Sequence, residues 1–208
     1  MSARPQDPRN STSPAQPIGP TTALIVVDMQ NDFADPSGSL FVRGGEVLAP
    51  FINDRVRDIT AAGGWVFYTQ DWHPPETPHF STSGGVWPVH CVRDTWGAAL
   101  VRDLRIEGPV VVKGTDGQDG YSGFSMRDPL SGDDEATPLH HLLTEQGVTR
   151  VVVVGLALDV CVKATALDAL ALGYQVEVPA AGTAPVEMLP GDGYRAIAEL
   201  VTAGVTIT

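Results

Sequence analysis

A chain of 208 residues, 43% of them apolar, is long enough to bury one proper core and is read as one α/β domain. Its net charge of −12, with no basic run, repels polyanions and excludes nucleic acid and an anionic membrane surface as partners. No apolar stretch approaches the roughly 18 residues that a membrane span needs.

Residues 1–20 are rich in Pro, Ser, Arg and Gln and hold no apolar segment. They read as a disordered tail and not as a signal peptide, so the expected location is cytoplasmic. A strand at 22–28 follows, then a Gly/Asp/Pro loop to about 45 and a helix at 46–62. That helix puts Leu48, Ile52, Val56 and Ile59 on one stripe, and Gly63-Gly64 ends it. A strand at 65–70 opens a long loop, 71–97. A short helix at 97–103 and a strand at 109–113 come next. Residues 114–136 form a second long loop, rich in Gly and Asp, of the kind that is usually functional or disordered. Helix 137–146, strand 150–155, helix 160–172, strand 175–179, helix 191–202 and a strand at 204–207 complete the order. Short β-branched runs without alternation are strands covered on both faces, which predicts parallel pairing and right-handed crossovers. The expected architecture is a three-layer α/β/α domain over 21–208 with a six-stranded, mainly parallel sheet. Helix 160–172 is apolar almost all round, so it lies either at a subunit interface, giving a homo-oligomer, or in the middle of the fold.

Four of these strands stop abruptly on a group that can do chemistry. The run Ala23–Val27 stops on Asp28, and Trp65–Gln70 stops on Asp71 with His73 two residues on. Val110–Val112 stops on Lys113, and Val151–Gly155 leads within one turn to Cys161. In an open parallel sheet all the carboxyl ends share one edge, where ligands bind. The four groups are therefore expected to meet. Cys161, after a tight strand-to-helix turn, would feel the positive end of a helix dipole, and a nearby Lys113 would favour its thiolate further. Asp28 would take the thiol proton and return it to a departing amine, while backbone amides at Ala157 and Cys161 hold an oxyanion. Taken singly, each residue also has a plain structural explanation: an inert buried thiol, a turn-capping carboxylate, a lysine reaching out to water. The basic residues number 13, all arginine except Lys113 and Lys163, which hints that position 113 needs a lysine. The two cysteines, Cys91 and Cys161, could pair, but nothing points to export and free thiols are expected.

Asp71-Trp72-His73, then His79 and His90, concentrate one carboxylate and three imidazoles in the first long loop. Asp-x-His on an extended backbone sends both side chains to the same side. Mixed N/O donors suit Zn²⁺ first, with Fe²⁺ or Mn²⁺ as alternatives. Loop histidines can also be merely solvated or turn-forming.

These segments together resemble the nicotinamidase/pyrazinamidase group of the isochorismatase-like cysteine hydrolases. The resemblance rests on Val27-Asp28-Met29-Gln30-Asn31-Asp32-Phe33, Asp71-Trp72-His73-Pro74 and Trp87-Pro88-Val89-His90-Cys91-Val92. It extends to Val112-Lys113-Gly114, Asp119-Gly120-Tyr121-Ser122-Gly123-Phe124 and Val154–Val162. The resemblance implies Asp28, Lys113 and Cys161 as the catalytic triad. It implies Asp71, His73 and His90 as ligands of one divalent metal, with His79 a further ligand in some members. Phe33, Trp87 and Tyr121 would wall the substrate pocket, and a cis peptide would precede Ala157. The implied reaction hydrolyses a small amide of the nicotinamide or pyrazinamide type through a thioester, the metal holding the pyridine nitrogen. Two positions depart from the pattern: Leu158 stands where Thr or Ser is common, and Val160 where an aromatic residue or His is frequent. A relative acting on another amide or an N-carbamoyl compound is the competing reading, with the Asp-x-His plus His set against it, and Leu158 keeps open a pyridine binder without turnover.

Overall fold

A computed structural model describes residues 17–208. The tail expected over 1–20 therefore lies, apart from 17–20, outside the described residues. The chain opens with β1 (Thr22–Val27), a single helical turn α1 (Asn31–Ala34) and the long α2 (Leu48–Ala61). The strands β2 (Trp65–Asp71), β3 (Val110–Lys113), β4 (Ser125–Arg127) and β5 (Asp134–Ala136) come next. Helix α3 (Leu139–Glu145) leads to β6 (Arg150–Leu156) and α4 (Lys163–Ala171). The fold closes with β7 (Gln175–Val178), β8 (Thr183–Ala184), α5 (Asp192–Ala203) and β9 (Thr206–Ile207).

The main sheet runs β3-β2-β1-β6-β7-β9, and every neighbouring pair is parallel. A six-stranded, mainly parallel sheet was expected, and these six strands form it. A seventh, two-residue strand, β8, adds to the end of β6 through Gly155↔Thr183 and Leu156↔Ala184.

Successive side chains of a strand point to opposite faces, and in β1 and β6 both faces are covered. Ala23, Ile25, Val27, Val151 and Val153 pack with Leu139 and Leu143 of α3 and Ala196 and Leu200 of α5. Leu24, Val26, Val152 and Val154 pack with Leu48, Ile52, Val56 and Ile59 of α2. Each fully buried aliphatic chain contributes about 1.5–3 kcal/mol, so neither face can carry a polar residue cheaply. That is why these strands read as unbroken apolar runs. Helix α4 packs against β7 and α5 within the chain, with Ala166 and Ala169 fully buried. Among the described residues no helix is long and apolar enough to cross a membrane.

Three local expectations are corrected. No helix forms over 97–103. The Gly97, Ala98 and Ala99 carbonyls, which a helix would use internally, accept from Asp32 N, from Gln30 Nε2 and Gln70 Nε2, and from Asn31 N. Tertiary bonds hold this stretch of turns against residues 30–32. The second long loop is partly regular, because β4 and β5 pair as an antiparallel hairpin inside it. Helix 160–172 begins earlier and wider than expected: residues Leu158–Val162 form a π-helical turn before α4, with Val162 N bonded back to Ala157 O at 3.0 Å.

Candidate active site

Sheet order dictates the site. Along the carboxyl edge the strands β3, β2, β1 and β6 deliver Lys113, Asp71, Asp28 and, after the π turn, Cys161. Asp71 and Lys113 are register partners across β2 and β3. The Lys113 side chain then reaches past β2, its Nζ donating to Asp71 Oδ1 at 2.5 Å and to Asp28 Oδ2 at 2.7 Å. A third, very short bond goes to the Gly120 carbonyl. With three donors and three acceptors, the ammonium is fully engaged. It does not snorkel to water: Lys113 and Asp28 are both wholly buried. Asp28 Oδ1 accepts from Thr69 Oγ1 at 2.6 Å, and its backbone sits at φ 47, a conformation L-residues seldom adopt and that marks a constrained position.

Donor atoms of Asp28, Asp71 and Cys161 lie within 4.8 Å of one another. Close approach of β6 to β1 makes this possible. Gly155 has φ 106, and a Cβ there would stand 2.1 Å from the Val27 carbonyl oxygen. The Leu156–Ala157 peptide is cis, as the resemblance implied. Both cysteines are free thiols, as expected.

Electrostatics settle the resting protonation of the site. Burial raises the Cys161 thiol well above its ordinary range, and against this the Lys113 cation pulls only partly downward. The expected pull of Lys113 toward thiolate is present but outweighed: desolvation exceeds it, and the negative Asp28 and Asp71 push the same way as burial. Burial also lifts Asp28 to about 6, opposed by Lys113. Lys113 itself is held well above its usual value, because the two carboxylates overcome the downward push of burial. For Asp71, burial pushes upward, but Lys113 leads the opposing charges and the net shift is downward. The resting set is a neutral thiol beside one ammonium and two carboxylates.

Asp71 connects this set to a second one. Donor nitrogens of His73, His79 and His90 lie within 4.8 Å of one another, and His73 Nε2 is 3.9 Å from Asp71 Oδ2. Gly114, at φ 73, lets His73 come close, since a Cβ there would fall 2.6 Å from the imidazole. His79 Nδ1 lies 2.5 Å from Asp119 Oδ1, and His90 Nδ1 donates to the Pro88 carbonyl at 2.7 Å, leaving the Nε2 atoms as lone-pair donors. Both ring nitrogens of His73 are buried without a hydrogen-bond partner among the described residues. Burial lowers His73 to about 4 and His90 below its usual range, so both are neutral. An orphaned, neutral imidazole beside two others and a carboxylate is what a divalent cation requires of its ligands. All four expected metal-type residues come together, and they fit a divalent metal.

A cleft of about 420 Å³, measured with its open mouth, joins the two sets. Cys161 and Ala157 line it together with Asp71, His79 and His90. Phe33, Trp87 and Tyr121 also line it, as expected, and Trp87 Nε1 donates to the Tyr121 hydroxyl at 3.0 Å. Of the two departures, Leu158 packs into the core beneath the sheet edge, while Val160 gives the cleft an aliphatic wall.

One residue with a clear role was absent from the expected set. Gln30, wholly buried, accepts from Asp71 N at 2.8 Å and donates to Asp71 O at 2.7 Å. It braces the backbone of the carboxylate that both sets share. Its place in the Val27–Phe33 segment, two residues after a strand-end Asp, was the signal available.

A parallel α/β sheet that brings a thiol, a carboxylate and a lysine to one edge defines, as a class, a site equipped for covalent hydrolysis. The chain belongs to the isochorismatase domain family, which matches residues 22–207. It is 34% identical over 206 residues to the nicotinamidase of Escherichia coli, covering 90% of this chain and 94% of that protein. A pyrazinamidase of Pyrococcus horikoshii, solved in complex with zinc, is 38% identical with a TM-score of 0.80, covering 90% of this chain and 98% of that one. The PnC1 protein of L. infantum, solved in complex with nicotinate, is 38% identical with a TM-score of 0.83, covering 92% and 94%.

Proposed function

We propose that this chain is a metal-containing cysteine amidohydrolase that converts nicotinamide to nicotinate and ammonia. The observation that carries the reading is the meeting of Cys161, Asp28 and Asp71 within 4.8 Å at an aromatic-walled cleft beside three buried imidazoles. The relatives named above, one solved with nicotinate and one with zinc, supply the substrate and favour Zn²⁺.

Because burial keeps the thiol protonated, nucleophile and base must act as a pair. Asp28 takes the Cys161 proton as the sulfur attacks the carboxamide carbon. The tetrahedral oxyanion receives hydrogen bonds from the Ala157 and Cys161 amides. Asp28 then delivers the proton to the departing nitrogen, ammonia leaves, and a thioester remains on Cys161. Asp28 next removes a proton from water, which attacks the thioester, releasing nicotinate and restoring the thiol. A carboxyl near 6 suits a group that must accept and return a proton near neutrality. Lys113 keeps Asp28 ionised and in place, and its three bonds leave no N–H free to bond the substrate. Phe33, Trp87 and Tyr121 hold the ring. A metal held by Asp71, His73, His79 and His90 supplies a Lewis-acid site for the ring nitrogen when bound.

Ammonia release from nicotinamide, measured for the parent chain and Cys161→Ala with and without exhaustive chelation, tests this reading. Release should vanish in the variant and fall on chelation. Full release by Cys161→Ala refutes the nucleophile, and undiminished release after metal removal refutes the role of the metal. Nicotinamide binding without any ammonia would mark a non-catalytic pyridine binder instead.

A further inference from the structure

Of the three histidines, His79 alone depends on a distant segment for its orientation. It sits between β2 and β3 on a stretch of turns, tied down by Thr77 Oγ1 bonding to the Gly117 carbonyl at 2.8 Å. His90 is oriented from within its own loop, through Pro88. The ring of His79 is oriented by Asp119, whose Oδ1 is 2.5 Å from Nδ1. Asp119 is itself rigidly placed. Its N–H donates to Arg127 O at 2.7 Å and its carbonyl accepts from Arg127 N at 2.9 Å, which clips it to β4 of the hairpin. The next residue, Gly120, gives its carbonyl to Lys113 Nζ. The pair Asp119-Gly120 therefore touches the histidine cluster with a side chain and the lysine with its backbone.

We propose that Asp119 is a positioning residue for the metal: by accepting the Nδ1 proton of His79 it fixes the tautomer and turns Nε2 toward His73 and His90. This rests on the metal reading above and extends it to a residue outside the ligand set. A carboxylate behind a ligating imidazole also raises that ligand's basicity, and its loss typically weakens metal affinity about 10–100-fold. Asp119 is 19% exposed in its side chain, so truncation leaves no sealed void.

The test uses the full chain stripped of metal and titrated with Zn²⁺ against a chromophoric chelator, and separately with Co²⁺ followed by its visible spectrum. Asp119→Ala should bind Zn²⁺ about 10–100-fold more weakly, and its Co²⁺ spectrum should move toward that of His79→Ala. Asp119→Asn keeps an acceptor oxygen, and should lose less. Combined with His79→Ala, Asp119→Ala should cause no further loss, because the imidazole through which it acts is gone. Unchanged Zn²⁺ affinity in Asp119→Ala overturns the inference while leaving the metal reading intact. An equal loss with or without His79 also overturns it, since Asp119 would then act through the loop alone. A parent chain that binds no Zn²⁺ refutes the metal reading, and this inference with it.

Discussion

Removing the buried cation is the sharpest test of the site's electrostatics. In Lys113→Met a side chain of similar length replaces the ammonium that bonds Asp28 at 2.7 Å and Asp71 at 2.5 Å. Two carboxylates within 4.8 Å of each other then face a dry interior with no counter-charge. Removing one partner of a buried charge set costs about 3–5 kcal/mol. For a chain of this size each kcal/mol lowers Tm by about 2–4 °C, so the expected drop is roughly 6–20 °C. The carboxylates cannot both remain ionised, and Asp28, already near 6, moves further up and takes a proton at neutral pH. Scanning calorimetry of the metal-free parent and variant at neutral pH measures the first effect without interference from metal binding. Adding Asp28→Asn to Lys113→Met should recover part of the lost stability, because one stranded anion is removed. A variant that melts with its parent, or a double variant that melts lower still by the sum of the two single losses, would refute the account of Lys113 as the counter-charge of the pair.

Three further outcomes are expected. Asp28 must be ionised to accept the thiol proton, and as pH falls through about 6 it becomes protonated. Single-turnover acylation should therefore fall on the acid side, about tenfold per pH unit well below that point; a flat profile there would refute Asp28 as the base. Gly155→Ala places a Cβ 2.1 Å from the Val27 carbonyl at a left-handed backbone, and should cost on the order of 3 kcal/mol or more. Denaturant unfolding within error of the parent would contradict the close β1–β6 approach. Gln30→Ala removes the partners that Gln30 gives the Asp71 N–H and carbonyl, at about 1–3 kcal/mol per stranded group. It should lower both stability and zinc affinity, and a loss of neither would show that Gln30 does not brace Asp71.

The sheet and most of the site were legible in the residues alone. Runs such as Ile25-Val26-Val27 and Val151–Val154 are apolar at every position because both faces are covered, so their pattern announces a central parallel strand. A parallel sheet sends its carboxyl ends to one edge, and the polar residue ending each run marks the site before any coordinate is known. Asp28, Asp71, Lys113 and Cys161 were legible for that reason, and the aromatic walls and loop histidines through the resemblance.

What stayed hidden depended on contacts between segments far apart in the chain. Residues 97–103 carry helix-forming residues, yet their carbonyls are taken by residues 30, 31, 32 and 70, and no local propensity foretells that competition. The protonation of Cys161 turns on how dry the edge becomes once β1, β3 and β6 close around it, so the position after a turn suggested a thiolate where burial enforces a thiol. The bonding of Lys113 to the Asp71 that the two sets share, and of His79 to Asp119 across 40 positions, has no sequence signature. Strand identity and polarity pattern are local properties of the chain. Which charge neutralises which, and at what cost in water, is decided only when the strands lie side by side.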